Sequence, residues 1–198
     1  MLFRSRTLFV RALDWLEQAR TRSTQDVRLG QMLAQTLAAR GEFLRRLGQL
    51  RESLDDWNRA IALAPDADIL ALGLGRVITL SFSRDYRAAL AEAAAADRAI
   101  VDQANERLIS AQAHAVLSNT VRHDRSLTHD ARAQGAATHV AAALEQIGEA
   151  RRAPDYQDTR RLYHRLRDQD FNPLREQPVF QTLMMDLAFP AHPFAHHD

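Results

Sequence analysis

Eight histidines stand among 198 residues, and there is no cysteine. Metal or proton-transfer chemistry would therefore have to be built from imidazole and carboxylate, and thiolate zinc sites, disulfides and a cysteine nucleophile are excluded. His123, Asp124, His129 and Asp130 fall in one polar stretch, and such side chains are the donor types of a metal centre. On that reading the chain is a small helical metal-dependent or catalytic domain that uses loop His and Asp residues. The competing reading is a solvated loop, because a metal centre needs fixed geometry and outer hydrogen bonds that a polar loop rarely supplies. The second is the expectation, with no metal and no cofactor. His192, His196 and His197 lie in a terminal stretch and would hold metals weakly, as any His-rich end does. His114, His139 and His164 fall inside helical patterns and read as packed helix residues, His114 with a hydrogen bond. Neighbouring carboxylates such as Asp55 and Asp56 point in different directions on a helix and read as a solvated face. G-x-S-x-G, H-E-x-x-H and Walker motifs are absent.

The elements that must position these groups are helical. Gly (7) and Pro (6) are few, and Ala, Leu, Arg, Gln and Glu, all good helix formers, dominate. The spacing of apolar residues predicts helices over 2–21, 27–47, 50–63, 67–82, 86–99, 101–119, 134–150, 156–168 and 177–187. Ser23–Asp26 offers helix-start chemistry, Gly48 suits a helix end and Pro65 lies just past one. Residues 120–133 are polar and read as a loop, and 188–198 as an extended tail broken by Pro190 and Pro193.

The net charge is +1 and all 26 basic residues are arginine. No global field draws the chain to nucleic acid or to a membrane, and no aromatic interleaving suggests a nucleic-acid surface. No stretch approaches the ~18 apolar residues of a membrane span. The basic N-terminus lacks a signal-peptide core. A cytoplasmic protein is the expectation.

Residues 34–67 carry a degenerate repeat. Leu37, Arg40, Gly41 and Leu44 fall on a first block, Gly48 and Leu50 on a turn, and Ser53, Trp57, Ala60 and Pro65 on a second block. This resembles the 34-residue tetratricopeptide pattern, with Arg40 in place of a Leu and Ser53 in place of an Ala. Residues 67–99 repeat the logic more weakly, with Gly75, then Tyr86, Ala89, Ala93 and Ala96. Aligned on the glycines, the interval from Gly75 to Tyr86 is two residues longer than from Gly41 to Leu50. The first helix, with Ala12, Leu16 and Ala19, is similar to the second half of a repeat whose first half is absent. Such an orphan implies a fragment of a longer protein or a face covered by a partner or a copy. The resemblance implies an all-α fold, a short right-handed superhelical array of antiparallel helix pairs with about eight or nine helices. Residues 1–26 would be the half-repeat and connection, 27–119 the helix pairs, 120–133 the loop, 134–187 the closing helices and 188–198 the tail.

The segment Asp168-Gln-Asp-Phe-Asn-Pro-Leu-Arg-Glu-Gln-Pro-Val-Phe resembles the piece that closes many bacterial arrays of this type. The ending Met-Asp-Leu-Ala-Phe-Pro-Ala-His-Pro-Phe is similar to the C-terminus of bacterial serine/threonine protein kinases that carry such repeats. Phe171, Leu174, Phe180, Leu183, Met184 and Leu187 would cap the last repeat. The chain itself cannot be a kinase. It has no Lys to pair with phosphates and no H-R-D or D-F-G, and Gly73-Leu-Gly-Arg-Val-Ile lacks the third glycine of a phosphate loop. What remains is a non-catalytic protein–protein interaction scaffold.

In arrays of this family the first helix of each pair lines a groove for a peptide or protein ligand. The matching positions are Gln35, Ala38, Glu42, Arg45 and Arg46, with Arg76 and Thr79 in the next unit. Ala38 and Glu42 stand where carboxylate-binding members have a Lys/Asn clamp, whereas Arg45, Arg46 and Arg76 would favour an acidic peptide. Self-association through the N-terminal helix is a further expectation.

Overall fold

Good helix formers run unbroken between caps and turn residues, and the computed structural model, which describes residues 2–23, 25–64, 66–99, 104–156 and 158–189, is helical throughout with no strand among them. In order the helices are α1 (Leu2–Arg22), α2 (Val27–Arg46), α3 (Leu50–Leu63), α4 (Asp66–Phe82), α5 (Tyr86–Ala99), α6 (Ala104–Arg122), α7 (His129–Arg152), α8 (Thr159–Leu166) and α9 (Pro178–Ala188). Short 3-10 turns at Pro154–Tyr156 and Gln169–Leu174 complete the described elements. Pro65 and the stretch 190–198, with its three histidines, lie outside the described residues. No helix of the described residues is long and apolar enough to cross a membrane. The chain divides into two units, Met1–Glu92 and Ala93–Asp198.

In the first unit the helix ends follow local chemistry. Asp26 caps α2, accepting from the backbone N–H groups of Arg28 and Leu29 at 2.9 and 3.2 Å. Gly48, at φ 75°, ends α2. The Gln49 N–H reaches back to the Leu44 carbonyl and the Gly48 N–H to that of Arg45, both at 2.9 Å, which is a Schellman closure. Arg84, at φ 65°, holds the equivalent place after α4, where the Asp85 N–H donates to the Leu80 carbonyl.

Trp57 on α3 is the piece around which α2, α3 and α4 pack. A Cβ at Gly41 would meet its ring at 3.2 Å, and one at Gly75 would meet it at 2.5 Å. The glycines therefore clear a slot for the indole. Its N–H donates to the Thr79 hydroxyl at 3.0 Å, and Ser53 donates to the Gly41 carbonyl at 2.7 Å. Leu13, Leu16, Leu33, Leu37, Ala60 and Leu72 fill the rest of this core.

The two departures from the tetratricopeptide pattern have partners here. Ser53 makes the bond just described. Arg40 grips Asp56 side-on, through Nε at 2.6 Å and Nη2 at 2.5 Å. Asp56 is therefore buried and paired rather than part of a solvated face. Thirty-six residues on, Arg76 grips Glu92 in the same two-armed way, at 2.9 and 2.5 Å. The same offset relates Leu44 to Leu80, Gly48 to Arg84 and Ser53 to Ala89. The internal period is thus 36 residues and not the interval from Gly41 to Gly75, and no extra residues separate the two turns.

In the second unit α6 and α7 form a hairpin. Ala111, Ala115, Ala143 and Ala150 keep the helices close, with Leu108, Val140 and Ile147 between them. The polar stretch expected as a loop over 120–133 is shorter, because α6 continues to Arg122 with Thr120 and Val121 buried, and α7 starts at His129 behind the Thr128 cap. The Thr128 hydroxyl accepts from the Ala131 N–H at 3.3 Å. Phe171, Leu174, Phe180 and Leu187 join the same core, with Leu183 and Met184 at its edge. Pro173 lies inside a 3-10 turn, and Pro178 opens α9.

Two outcomes follow for stability. Gly75→Ala should cost about 2 kcal/mol by overpacking against Trp57, and chemical unfolding should show that penalty shrink in a Trp57→Phe background. An equal penalty in both backgrounds would break the link between them. Arg84→Gly should instead raise stability by about 0.5–1 kcal/mol, since it relieves a left-handed non-glycine residue.

Candidate functional site

The expected groove residues do not share one surface. Gln35 is exposed and lines an open groove between α1 and α2 with Leu8, Phe9, Ala12 and Met32. Ala38 packs against the core. Glu42 accepts from Arg45 through both arms, at 2.8 and 2.7 Å, and from the Nε of Arg46 at 2.6 Å. Arg45 is only 5% exposed, and its guanidinium stands 5.0 Å from the ring centroid of Phe82. Thr79 is fully buried as the acceptor for Trp57. Arg76 is held by Glu92 and by the Asn58 carbonyl oxygen at 2.5 Å.

Two of the expected contact residues are buried. Thr79 and Arg45 face the interior because the Trp57 slot and the Phe82 ring take them. The three arginines are also balanced by Glu42 and Glu92, so they do not form a free cationic cluster. Of the predicted set, Gln35, Glu42, Arg46 and Arg76 keep some solvent-facing surface.

The loop histidines do not converge either. His123 uses Nδ1 on the Asn119 carbonyl at 2.7 Å. Asp124 accepts from the backbone N–H and the hydroxyl of Ser126, at 2.9 and 2.7 Å. His129 and Asp130 are fully exposed neighbours at the start of α7. Among the described residues no group of three or more His, Asp or Glu side chains is arranged to hold a metal ion.

A polar chain that sequence reasoning did not assemble lies in the second unit. His114 is buried, as a packed helix residue should be, and its Nε2 lies 2.9 Å from Asp97 Oδ2. Its Nδ1 lies 2.9 Å from Nδ1 of His139. A carboxylate can only accept, so Nε2 of His114 carries a proton, and one of the two facing Nδ1 atoms donates to the other. Ser110 donates to Asp97 at 3.0 Å, so its hydroxyl is spent on the carboxylate and is not activated as a nucleophile. The two rings stack with centroids 5.2 Å apart. Both histidines sit in alanine-rich helical stretches. Nothing in their spacing across the α6–α7 hairpin marks the pairing.

Burial first, and then the His114 ring, push the His139 imidazole down to about 4, with Asp97 pulling the other way. Burial raises Asp97, but hydrogen bonding to His114 and Ser110 outweighs it and holds the carboxyl below its ordinary value. The arrangement orders a hydrogen-bonded chain from the Asp97 carboxylate through His114 to His139, between α5, α6 and α7. It presents no polarised nucleophile.

Comparison of the chain with models of protein families, with characterised proteins and with solved structures finds no match.

The histidine chain gives a pH dependence with a definite sign. Unfolded, His139 binds its proton near 6.5; folded, it resists until about 4. Between these values the unfolded chain holds more protons, so stability falls as pH falls. After allowance for the partial exposure of the ring, the loss is about 1–2 kcal/mol. Urea midpoints between pH 7.5 and about 4.5 should show this slope, and His139→Gln should flatten it. The Asp97 contribution is lost only below the ordinary carboxyl range. A slope unchanged in His139→Gln would remove the histidine as its source.

Proposed function

We propose that this chain is a non-catalytic protein–protein interaction scaffold of tetratricopeptide type, similar to the repeat region that follows the kinase domain in bacterial serine/threonine kinases. The observation that carries the reading is the duplicated helix pair. An Arg on the first helix grips a carboxylate sixteen residues on, at Arg40–Asp56 and again at Arg76–Glu92. A left-handed residue closes the first helix of each pair, Gly48 and then Arg84. Repeated helix hairpins that bury one face against the next are how such arrays are built. The period of 36 is two residues longer than the family's usual 34. The closing role of Phe171, Leu174 and Phe180 fits the same reading, since they fill the core of the α6–α7 hairpin.

The ligand is a protein or peptide, and the solvent-facing positions of α2, Gln35 and Arg46, are the ones offered to it. A preference for acidic ligands would rest chiefly on Arg46, the most exposed of the three and itself shared with Glu42, since Arg45 is buried and Arg76 is gripped by Glu92. Affinity capture from a native lysate tests the reading, with wild type against Gln35→Arg/Arg46→Glu. Wild type should retain a protein near stoichiometrically, and the variant should lose it by about tenfold. Equal recovery from both would sink the α2 surface, and a turnover activity in untagged protein would sink the non-catalytic reading.

A further inference from the structure

Helix α8 arranges its charge against its own stability. The stretch 159–167 holds four arginines and a histidine and no carboxylate. Leu162 and Leu166 are buried and anchor one side of the helix. At about 100° per residue, Arg160, Arg161, His164, Arg165 and Arg167 fall within about 160° of arc on the opposite side, and all five are exposed. Arg160 and Arg161 stand in the first turn, where the helix dipole favours acids. Arg161 and Arg165 are one turn apart, the spacing at which like charges repel. Arg175 reaches the far end of the same helix, its Nη2 donating to the Arg167 carbonyl at 3.1 Å. None of these five guanidiniums forms an ion pair among the described residues, whereas Arg151 and Arg152 just before them pair with Asp186 and Glu149. Arg161 and Arg167 lie over the rings of Tyr156 and Tyr163, and Arg165 donates only to the Asn105 side-chain oxygen, at 3.4 Å. The acids nearest in sequence cap backbone instead. Asp158 accepts from the Arg160 N–H and Asp168 from the Asp170 N–H, each at 3.0 Å.

We propose that this face binds a short acidic segment of a protein partner. Rules of helix electrostatics are broken locally where a site needs the charge for something else. Guanidiniums take carboxylates side-on with two arms, a mode the chain itself uses at Arg40–Asp56. Between the C-terminal half of α8 and α6 lies an open polar recess of about 390 Å³, lined by Gln112, His164, Arg165, Arg167 and Asp168. Gln112 adds an amide donor to the cationic side chains there. From Arg160 to Arg167 the helix axis runs about 11 Å, the reach of three or four extended residues. The occupant is therefore a segment with several Asp or Glu in close succession. A nucleic-acid strand suits the face less well, because it gains affinity by following a continuous basic path. Here Asp155 and Asp158 stand at one end of the path, and Asp168 and Glu176 at the other. Residues 93–198 hold 12 arginines against 14 aspartates and glutamates, so no wider field draws a polyanion. The proposal rests on the reading of the chain as a binding scaffold and adds a second surface to it, in the second unit.

Fluorescence anisotropy with the purified full chain at low salt tests this. The probes are a labelled twelve-residue peptide carrying five Glu among Gly and Ser, the same peptide with Gln at every Glu, and a six-nucleotide single-stranded RNA of equal charge. The Glu peptide should bind with a Kd of about 10–100 µM, and the Gln peptide about tenfold more weakly or worse. Arg160→Glu/Arg165→Glu should weaken the Glu peptide by about tenfold or more. Arg22→Glu/Arg28→Glu, an equal change of net charge on exposed positions of the first unit, should leave it within about twofold. Arg160→Glu alone should weaken binding by about threefold and leave the thermal midpoint at or above that of wild type, since it places an acid in the first turn of α8. A purely structural Arg160 would lower the midpoint instead, so this variant decides the matter even where the double one fails to fold. A Glu peptide bound no more tightly than the Gln peptide overturns the proposal, as does equal weakening by the two double variants. RNA bound more tightly than the Glu peptide overturns it too, and makes the face a phosphate-backbone surface. Gln35 and Arg46 are untouched throughout, so failure here leaves capture of a protein through α2 standing.

Discussion

An indole wedged between two glycines sets the geometry of the first unit. Trp57 fits because neither Gly41 nor Gly75 carries a Cβ, and its N–H is satisfied by Thr79. Truncating a buried tryptophan to alanine costs about 3–5 kcal/mol, a large share of the stability of a small helical unit. The wedge also fixes its surroundings. Ser53 must be small and polar to reach the Gly41 carbonyl, and Thr79 must face inward to receive the indole. A core defined by one large ring and two absent methyl groups tolerates little change in volume at any of the three positions.

The ion pairs on either side of that wedge contribute little net stability. Asp56 is buried and Arg40 partly so, so the attraction between them is offset by desolvation, and the pair adds little net stability. Loss of Arg40 alone would leave a buried carboxylate without its partner, which is the costly case. Arg76 and Glu92 are each about 30% exposed, and such pairs contribute at most about 1 kcal/mol. Both pairs use two arms of a planar guanidinium, which lysine cannot offer. In these places the chain's use of arginine alone has a structural consequence beyond composition.

Much of the fold was legible in the sequence because helix formation and helix ends are local. Asp26 and Gly48 act through their own backbone neighbours, and apolar spacing places the described α-helices to within three residues, save the start of α7, which lies five residues earlier than expected. The two glycines suggest a different period for a physical reason. Gly41 and Gly75 look like one repeated position, but they are small because they touch opposite sides of the same Trp57. Two contacts of one ring thus resemble two copies of one site. The true period lies in the charged pairs, whose partners are sixteen residues apart on different helices and invisible to a one-dimensional pattern. The same limit applies to Arg45, Thr79 and the Asp97–His114–His139 chain. Spacing says that residues share a helix face, and only the packing says which face is inside. The loop is shorter than the polarity of 120–133 suggests, because Thr120 is polar yet buried in α6.

What the interior consumes decides what the surface can offer. Glu42 and Glu92 occupy Arg45, Arg46 and Arg76, and Asp124 is committed to Ser126. At these positions, charge that would otherwise select a ligand is already spent within the chain. Of the large apolar side chains left in the open in the first unit, Leu8, Val10 and Trp15 lie on α1 and Val27 and Met32 on α2, with Leu47, Ile69, Phe82 and Leu90 elsewhere. A helix with a neighbour on one side only keeps such residues exposed at a cost in solubility. Exposed apolar surface, rather than uncommitted charge, is therefore what this part of the unit presents to solvent.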